Sequence, residues 1–404
     1  MPVPAHAMLF DPASHEPLTE STWDEGRARV AIAGIVDDAE SAFEEEALWP
    51  AHPLDEEDGP LPQVASLYLG ATGVIWALHT LERFGSAELR RDWTDVTVRL
   101  ANRYPAQPDF PELVDGPVPS LWMAEAGILL VAHTLSPAPW QEERLLEAVR
   151  ANVANPTWEL MWGSPGTMLA AQVMYERTGA EHWLEAWSVS AKRLWEEWRD
   201  DLWQQDLYGS LVQYLGPAHG FAGNVFVLAR GGLVSPARRT ELERRTVATI
   251  SKHALCRDGL AQWPTQLERR ADELQPIRTQ WCHGAPGIVA SLASLALHDE
   301  QLTELLIAGG ELTWRAGPLR KGANLCHGTA GNGYAFLKLF ERTGDELWLE
   351  RARAFAMHAI EQIERQRTQY GRGRYTLWTG DPGTAVYLHS CLTATAAFPT
   401  LDYL

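Results

Sequence analysis

A chain of 404 residues, 46% hydrophobic and 22% charged, has the composition of an ordered globular protein, long enough for two or three ordinary domains or one closed architecture. Its formal charge of −19, from 34 basic and 53 acidic residues, repels nucleic acid and anionic membrane surfaces. Four cysteines are too few for a disulfide framework, and neither a secretory leader nor a membrane-length apolar run of roughly 18 residues is visible, so a cytoplasmic location is predicted.

Residues 1–60 read as an N-terminal arm with a helix packed on the rest of the chain, and the acidic runs 37–46 and 55–58 read as solvated faces. From 61 to 404 one short pattern recurs: a Gly or Ala, two residues, a Gly, then a mostly apolar helical run. Its copies begin at Gly70, Ala124, Gly163, Gly220, Gly284, Gly328 and Gly380, and the second glycines lie 54, 39, 57, 64, 44 and 52 residues apart. That spacing suits one helical hairpin per repeat. Stretches 73–81 and 287–297 are apolar on nearly every side and are predicted to be buried all round. Stretches 181–199 and 345–365 alternate with helical period and are predicted to face solvent on one side. The arrangement that satisfies both is an all-α protein, an α/α toroid of seven inner and seven outer helices forming a single domain. No strand-rich segment is expected, and 105–119 and 231–236 read as long connections. The repeated glycines are predicted to allow close backbone approach where seven loops converge on one mouth.

Chemistry-bearing side chains fall in those loops. Cys282-His283 and Cys326-His327 occupy equivalent places in adjacent repeats, each just before a first glycine. Two thiolates and an imidazole suit Zn²⁺, one ion per chain, and three protein ligands leave a fourth position open for substrate. Spacing does not choose between His283 and His327 as the imidazole ligand. His219 shares their slot one repeat earlier, and its ordinary pKa near 6.5 suits proton transfer. Glu159 precedes Gly163 by four residues and is a candidate to orient or charge the site. Cys256 and Cys391 read as apolar packing, and His79, His133 and His389 as core histidines.

The blocks Trp281-Cys282-His283-Gly284-Ala285-Pro286-Gly287 and Cys326-His327-Gly328-Thr329-Ala330-Gly331-Asn332-Gly333 resemble the lanthionine synthetase C-like family, more its stand-alone eukaryotic-type branch than the lantibiotic cyclases. Ala218-His219-Gly220-Phe221-Ala222-Gly223 and Glu159-Leu160-Met161-Trp162-Gly163 resemble two further motifs of that family. The resemblance implies zinc held by Cys282, Cys326 and His327, with His219 as acid/base and an acidic group beside it. That acid is commonly Asp in the cyclases and is Glu159 here. The implied reaction is addition of a thiol to dehydroalanine or dehydrobutyrine in a peptide, forming a thioether, with glutathione the favoured thiol. Alternatives are a lanthionine cyclase acting on a peptide cysteine in a dedicated precursor, and a zinc-stabilised scaffold that binds glutathione or proteins without turnover. Toroidal glycosidases need paired carboxylates, which these loops lack.

Overall fold

A computed structural model describes residues 8–55, 63–110, 118–267, 277–295, 297 and 299–404. Among these residues lie fourteen α-helices: α1 Glu25–Ser41, α2 Ala71–Arg83, α3 Thr94–Arg103, α4 Glu125–Leu135, α5 Pro139–Ala151, α6 Ser164–Thr178, α7 Glu181–Glu196, α8 Phe221–Ala229, α9 Pro236–His253, α10 Ala285–Leu292, α11 Glu300–Ala316, α12 Thr329–Thr343, α13 Glu346–Tyr370 and α14 Asp381–Thr393. The even-numbered helices form an inner ring in which each packs on the next and α14 returns to α2. The odd-numbered helices surround them, and α1 covers α14. The architecture is an α/α toroid, and its seventh outer helix comes from the N-terminal segment. The predicted division near residue 60 lies outside the described residues, as do residues 56–58 of the second acidic run and the middle of connection 105–119.

Inner and outer helices begin differently, for a physical reason. Four outer helices carry polar N-caps: Asp24, Ser235, Asp299 and Asp345 each accept a first-turn amide. The inner helices start at Gly or Ala with no side-chain cap. Loop carbonyls take up first-turn amides instead, as in Ala71 N to Val64 O (2.9 Å), Thr329 N to Gly322 O (2.9 Å) and Asp381 N to Arg374 O (2.8 Å). A loop folded this tightly onto the first turn leaves no room for a Cβ. At Gly73, Gly127, Gly166, Gly223, Gly287, Gly331 and Gly383 it would overlap the carbonyl oxygen six residues earlier.

The same seven glycines also record how the ring closes. Each abuts the residue three positions before the opening Gly or Ala of the preceding motif: Gly127 meets Leu67, Gly331 meets Trp281, and Gly73 meets Leu377 across the seam between last and first repeats. Gly331→Ala should therefore destabilise the protein by about 2–4 kcal/mol, because neither the Leu325 carbonyl nor the neighbouring repeat can yield. Gly344→Ala is the control, since it has left-handed φ but open space around it, and should cost only about 1–2 kcal/mol. Equal denaturation midpoints for the two variants would rule out the close-approach explanation.

The structure departs from the sequence-based expectations in several places. Among the described residues lie five short strands, β1 Gln205–Leu207, β2 Ser210–Tyr214, β3 Leu255–Arg257, β4 Leu260–Gln262 and β5 Gln266–Leu267, ordered β1-β2-β5 and β3-β4. They occupy the two longest repeat intervals, where the chain has more residues than one helical hairpin uses. Cys256 stands exposed on β3 because that hairpin lies outside the core, whereas Cys391 is buried as expected. His79, His133 and His389 are half-buried rather than core residues. The first acidic run is also partly paired, with Arg90 Nε 3.3 Å from Glu40 Oε2.

Candidate active site

All seven motifs open inner helices at one mouth, and the residue two before each opening Gly or Ala forms a rim: Tyr68, Trp122, Met161, Ala218, Cys282, Cys326 and Trp378. Backbone hydrogen bonds stitch this rim from loop to loop. Cys282 N donates to Cys326 O (3.0 Å), Cys326 N to Trp378 O (2.9 Å), Trp378 N to Tyr68 O (3.3 Å), and Tyr68 N to Trp122 O (2.8 Å). The two cysteines thus sit on adjacent loops in fixed register, at the N-termini of α10 and α12, where partial positive charge favours thiolate.

Both thiols are buried and neither is in a disulfide. Burial alone would push the Cys282 thiol up, but hydrogen bonds from Cys326 and from Gln280 Nε2 (2.9 Å), with the nearby His219 charge, bring it down. The Cys326 thiol moves the other way, held up by its hydrogen bond to Cys282 and then by burial. The Tyr68 hydroxyl bonds Cys326, and burial beside the two sulfurs pushes its phenol well up, so it stays a donor. The two thiols are therefore bonded to each other, with Cys282 the more readily ionised of the pair.

His219 faces this pair from the previous repeat. Its Nδ1 lies 3.0 Å from Glu159 Oε2, and Glu159 is fully buried. The two Glu159 oxygens also accept amides of Met161 (2.8 Å) and Trp162 (2.7 Å), so the carboxylate is pinned on three sides. A carboxylate held in that way accepts a hydrogen bond from Nδ1–H of His219 and leaves Nε2 as the ring nitrogen not tied to Glu159. His283 stacks on His219, ring centroids 5.8 Å apart, and meets Tyr214 at a tilt with centroids 5.4 Å apart. Its Nδ1 is buried with no partner among the described residues, and burial, then the His219 charge, pushes its pKa well below the usual range. Gly284, which follows it, has φ 101°, unlike the corresponding residue of any other repeat, so this loop turns its histidine differently.

His327 is not gathered with the thiols into a three-donor cluster; among the described residues no three His, Cys, Asp or Glu side chains are so arranged. It lines a neighbouring cavity of about 330 Å³ together with Arg320, Lys321, Arg365 and Arg374. Burial, then the charges of Lys321, Arg374 and Arg278, pushes its pKa down to about 3, so the ring is neutral, the form that binds metals. Arg374 is paired with Asp55 and Arg365 with Glu16, so Arg320 and Lys321 supply the excess positive charge of this cavity, in a protein whose net charge is −19. No helix among the described residues is long and apolar enough to cross a membrane.

The structure thus joins Cys282 to Cys326 and Glu159 to His219, and places His283 between the pairs. Tyr68, Gln280 and Lys321 were not singled out from sequence. Tyr68 had a signal, since it occupies the same slot as the two cysteines; Gln280 and Lys321 had none.

A family model described as "Lanthionine synthetase C-like protein" matches residues 61–402. The chain is 31% identical over 194 residues to "Glutathione S-transferase LANCL1" of Danio rerio, covering 47% of this chain and 46% of that protein. It is 31% identical over 181 residues to "LanC-like protein GCL1" of Arabidopsis thaliana, covering 43% and 39%. The matches thus span less than half the length of these curated relatives. Among solved structures, "Nisin cyclase" superposes with a TM-score of 0.53 at 16% identity, covering 81% of this chain and 93% of that one, a likeness of fold.

Proposed function

This chain belongs to the lanthionine synthetase C-like family, and from that premise we propose that it is a zinc-dependent enzyme that activates a thiol, with glutathione favoured, for addition to dehydroalanine or dehydrobutyrine residues in peptides. The observation that carries this reading is the buried Cys282–Cys326 thiol pair beside a carboxylate-held histidine, His219. Cys282, Cys326 and His327 would hold the ion: the donors are two soft sulfurs and a neutral imidazole adjacent in sequence to one of them, whose ring would turn from the cavity wall to join the sulfurs. Zinc bound there would keep a substrate sulfur in its thiolate form at neutral pH.

The remaining steps fall to the chain's own groups. Glu159 holds the His219 ring through Nδ1, so Nε2 is the atom that takes the proton the incoming thiol gives up and returns it to the α-carbon of the electrophile as the sulfur bonds to its β-carbon. The cations around His327 attract a small thiol that carries carboxylates, which favours glutathione over the internal cysteine of a long peptide. The test is mass spectrometry of a dehydroalanine peptide incubated with protein, zinc and glutathione. Gain of one glutathione at a protein-dependent rate is expected. Ring closure of a cysteine-containing peptide, without glutathione transfer, would instead support a cyclase, and no reaction with either thiol a non-catalytic scaffold.

A further inference from the structure

The chain segment 9–21 crosses the rim of the cationic cavity as a strap. His15 and Leu319 form an antiparallel bridge, Glu16 N donates to Pro318 O (2.9 Å), and Arg320 Nε to His15 O (2.8 Å). Further along, Thr19 N and Oγ1 lie 3.2 and 2.9 Å from Nδ1 of His358 on α13. Between these anchors Glu16 reaches the cavity wall and is the one carboxylate there among the described residues.

Its two oxygens are used unequally. Oε1 accepts from His358 Nε2 (2.7 Å), Gln362 Nε2 (2.9 Å) and Arg365 NH2 (2.6 Å), while Oε2 has no partner among the described residues. Burial opposes ionisation of Glu16, but those hydrogen bonds outweigh it and hold the carboxyl below its usual range. The side chain is thus charged, fixed by one oxygen and free at the other. The same cavity is lined by Lys321, which has no ion-pair or hydrogen-bond partner among the described residues, and by neutral His327.

We propose that Glu16 is the ammonium subsite of the thiol pocket, so that the site selects a thiol carrying a free α-ammonium group as well as carboxylates. This rests on the thiol-activating reading above. A lone anion in a cationic cavity lowers affinity for a purely anionic ligand and raises it for a zwitterion, which is a specificity device. Glu16 acts in binding and exchanges no proton with the reacting atoms.

Calorimetry on the zinc-loaded 404-residue chain, with glutathione and N-acetylglutathione as probes, separates the outcomes. Wild type should bind glutathione at least tenfold more tightly, because acetylation removes the ammonium. Glu16→Gln keeps the Oε1 contacts and removes only the charge; it should weaken glutathione binding about tenfold and leave N-acetylglutathione within about twofold. Thr19→Ala loosens the strap but keeps the carboxylate, and should preserve the preference for glutathione. Equal weakening of both probes by Glu16→Gln, or no change in either, would overturn the subsite while leaving the thiol pocket intact. Failure of wild type to bind either probe would overturn both readings.

Discussion

Alanine at position 219 should slow thiol addition by roughly 10²–10⁴-fold, the usual span for a lost general acid or base, while zinc content and the unfolding midpoint stay near wild type. The expectation follows from the way the ring is held. Glu159 fixes Nδ1 at 3.0 Å and is itself fixed by two backbone amides, so His219 presents Nε2 in one tautomer and one orientation. Removing the ring takes away the proton carrier without touching the rim that carries the cysteines. Glu159→Gln separates orientation from proton transfer. Its amide has only one acceptor oxygen for three donors, so an NH₂ must face a buried N–H. That should cost about 1–3 kcal/mol of stability, with a smaller rate loss than in the His219 variant. A His219→Ala protein that reacts as fast as wild type would remove this residue from the mechanism, even if zinc remained bound.

The second large effect concerns metal content. Cys282→Ala or Cys326→Ala should abolish both bound zinc and thiol addition, since two donors cannot hold the ion at the affinity of three. His327→Ala should strip zinc, and His283→Ala should largely retain it. The two histidines fill the same slot in adjacent repeats, yet Gly284 at φ 101° turns His283 toward His219, while His327 lines the cation-rich cavity. Plasma emission spectrometry on the four purified variants checks this, with circular dichroism confirming fold. Zinc retained by His327→Ala and lost by His283→Ala would reverse the ligand assignment. A folded wild-type protein that takes up no zinc would end it.

The ring was legible in the sequence because its cause is local. A Cβ at the second glycine meets a carbonyl six residues earlier, so the constraint recurs in every repeat and leaves a countable mark. The cysteines and His219 were legible for the same reason: equivalent slots in equivalent loops must face one mouth. What escaped is non-local. The Oε1 contacts of Glu16 come from a helix more than 340 residues away, and Lys321 matters only through the cavity it faces. The strands were missed because runs this short carry too little period to register. The turn at Gly284 is invisible in a motif whose letters match its neighbours.

Closure of the seam, where Gly73 seats on Leu377 and α14 packs on both α2 and α1, bears on how the molecule comes apart. An open array of helical hairpins has terminal units with one neighbour each, which can fray and which tolerate loss or duplication of a unit. Here every hairpin has two neighbours, and the last is clamped by a helix from the opposite end of the chain. Opening any one junction breaks the circle, so nothing peels away first and the loss of a unit leaves two mismatched edges. The number of repeats is therefore a property of the whole circumference rather than of any one hairpin.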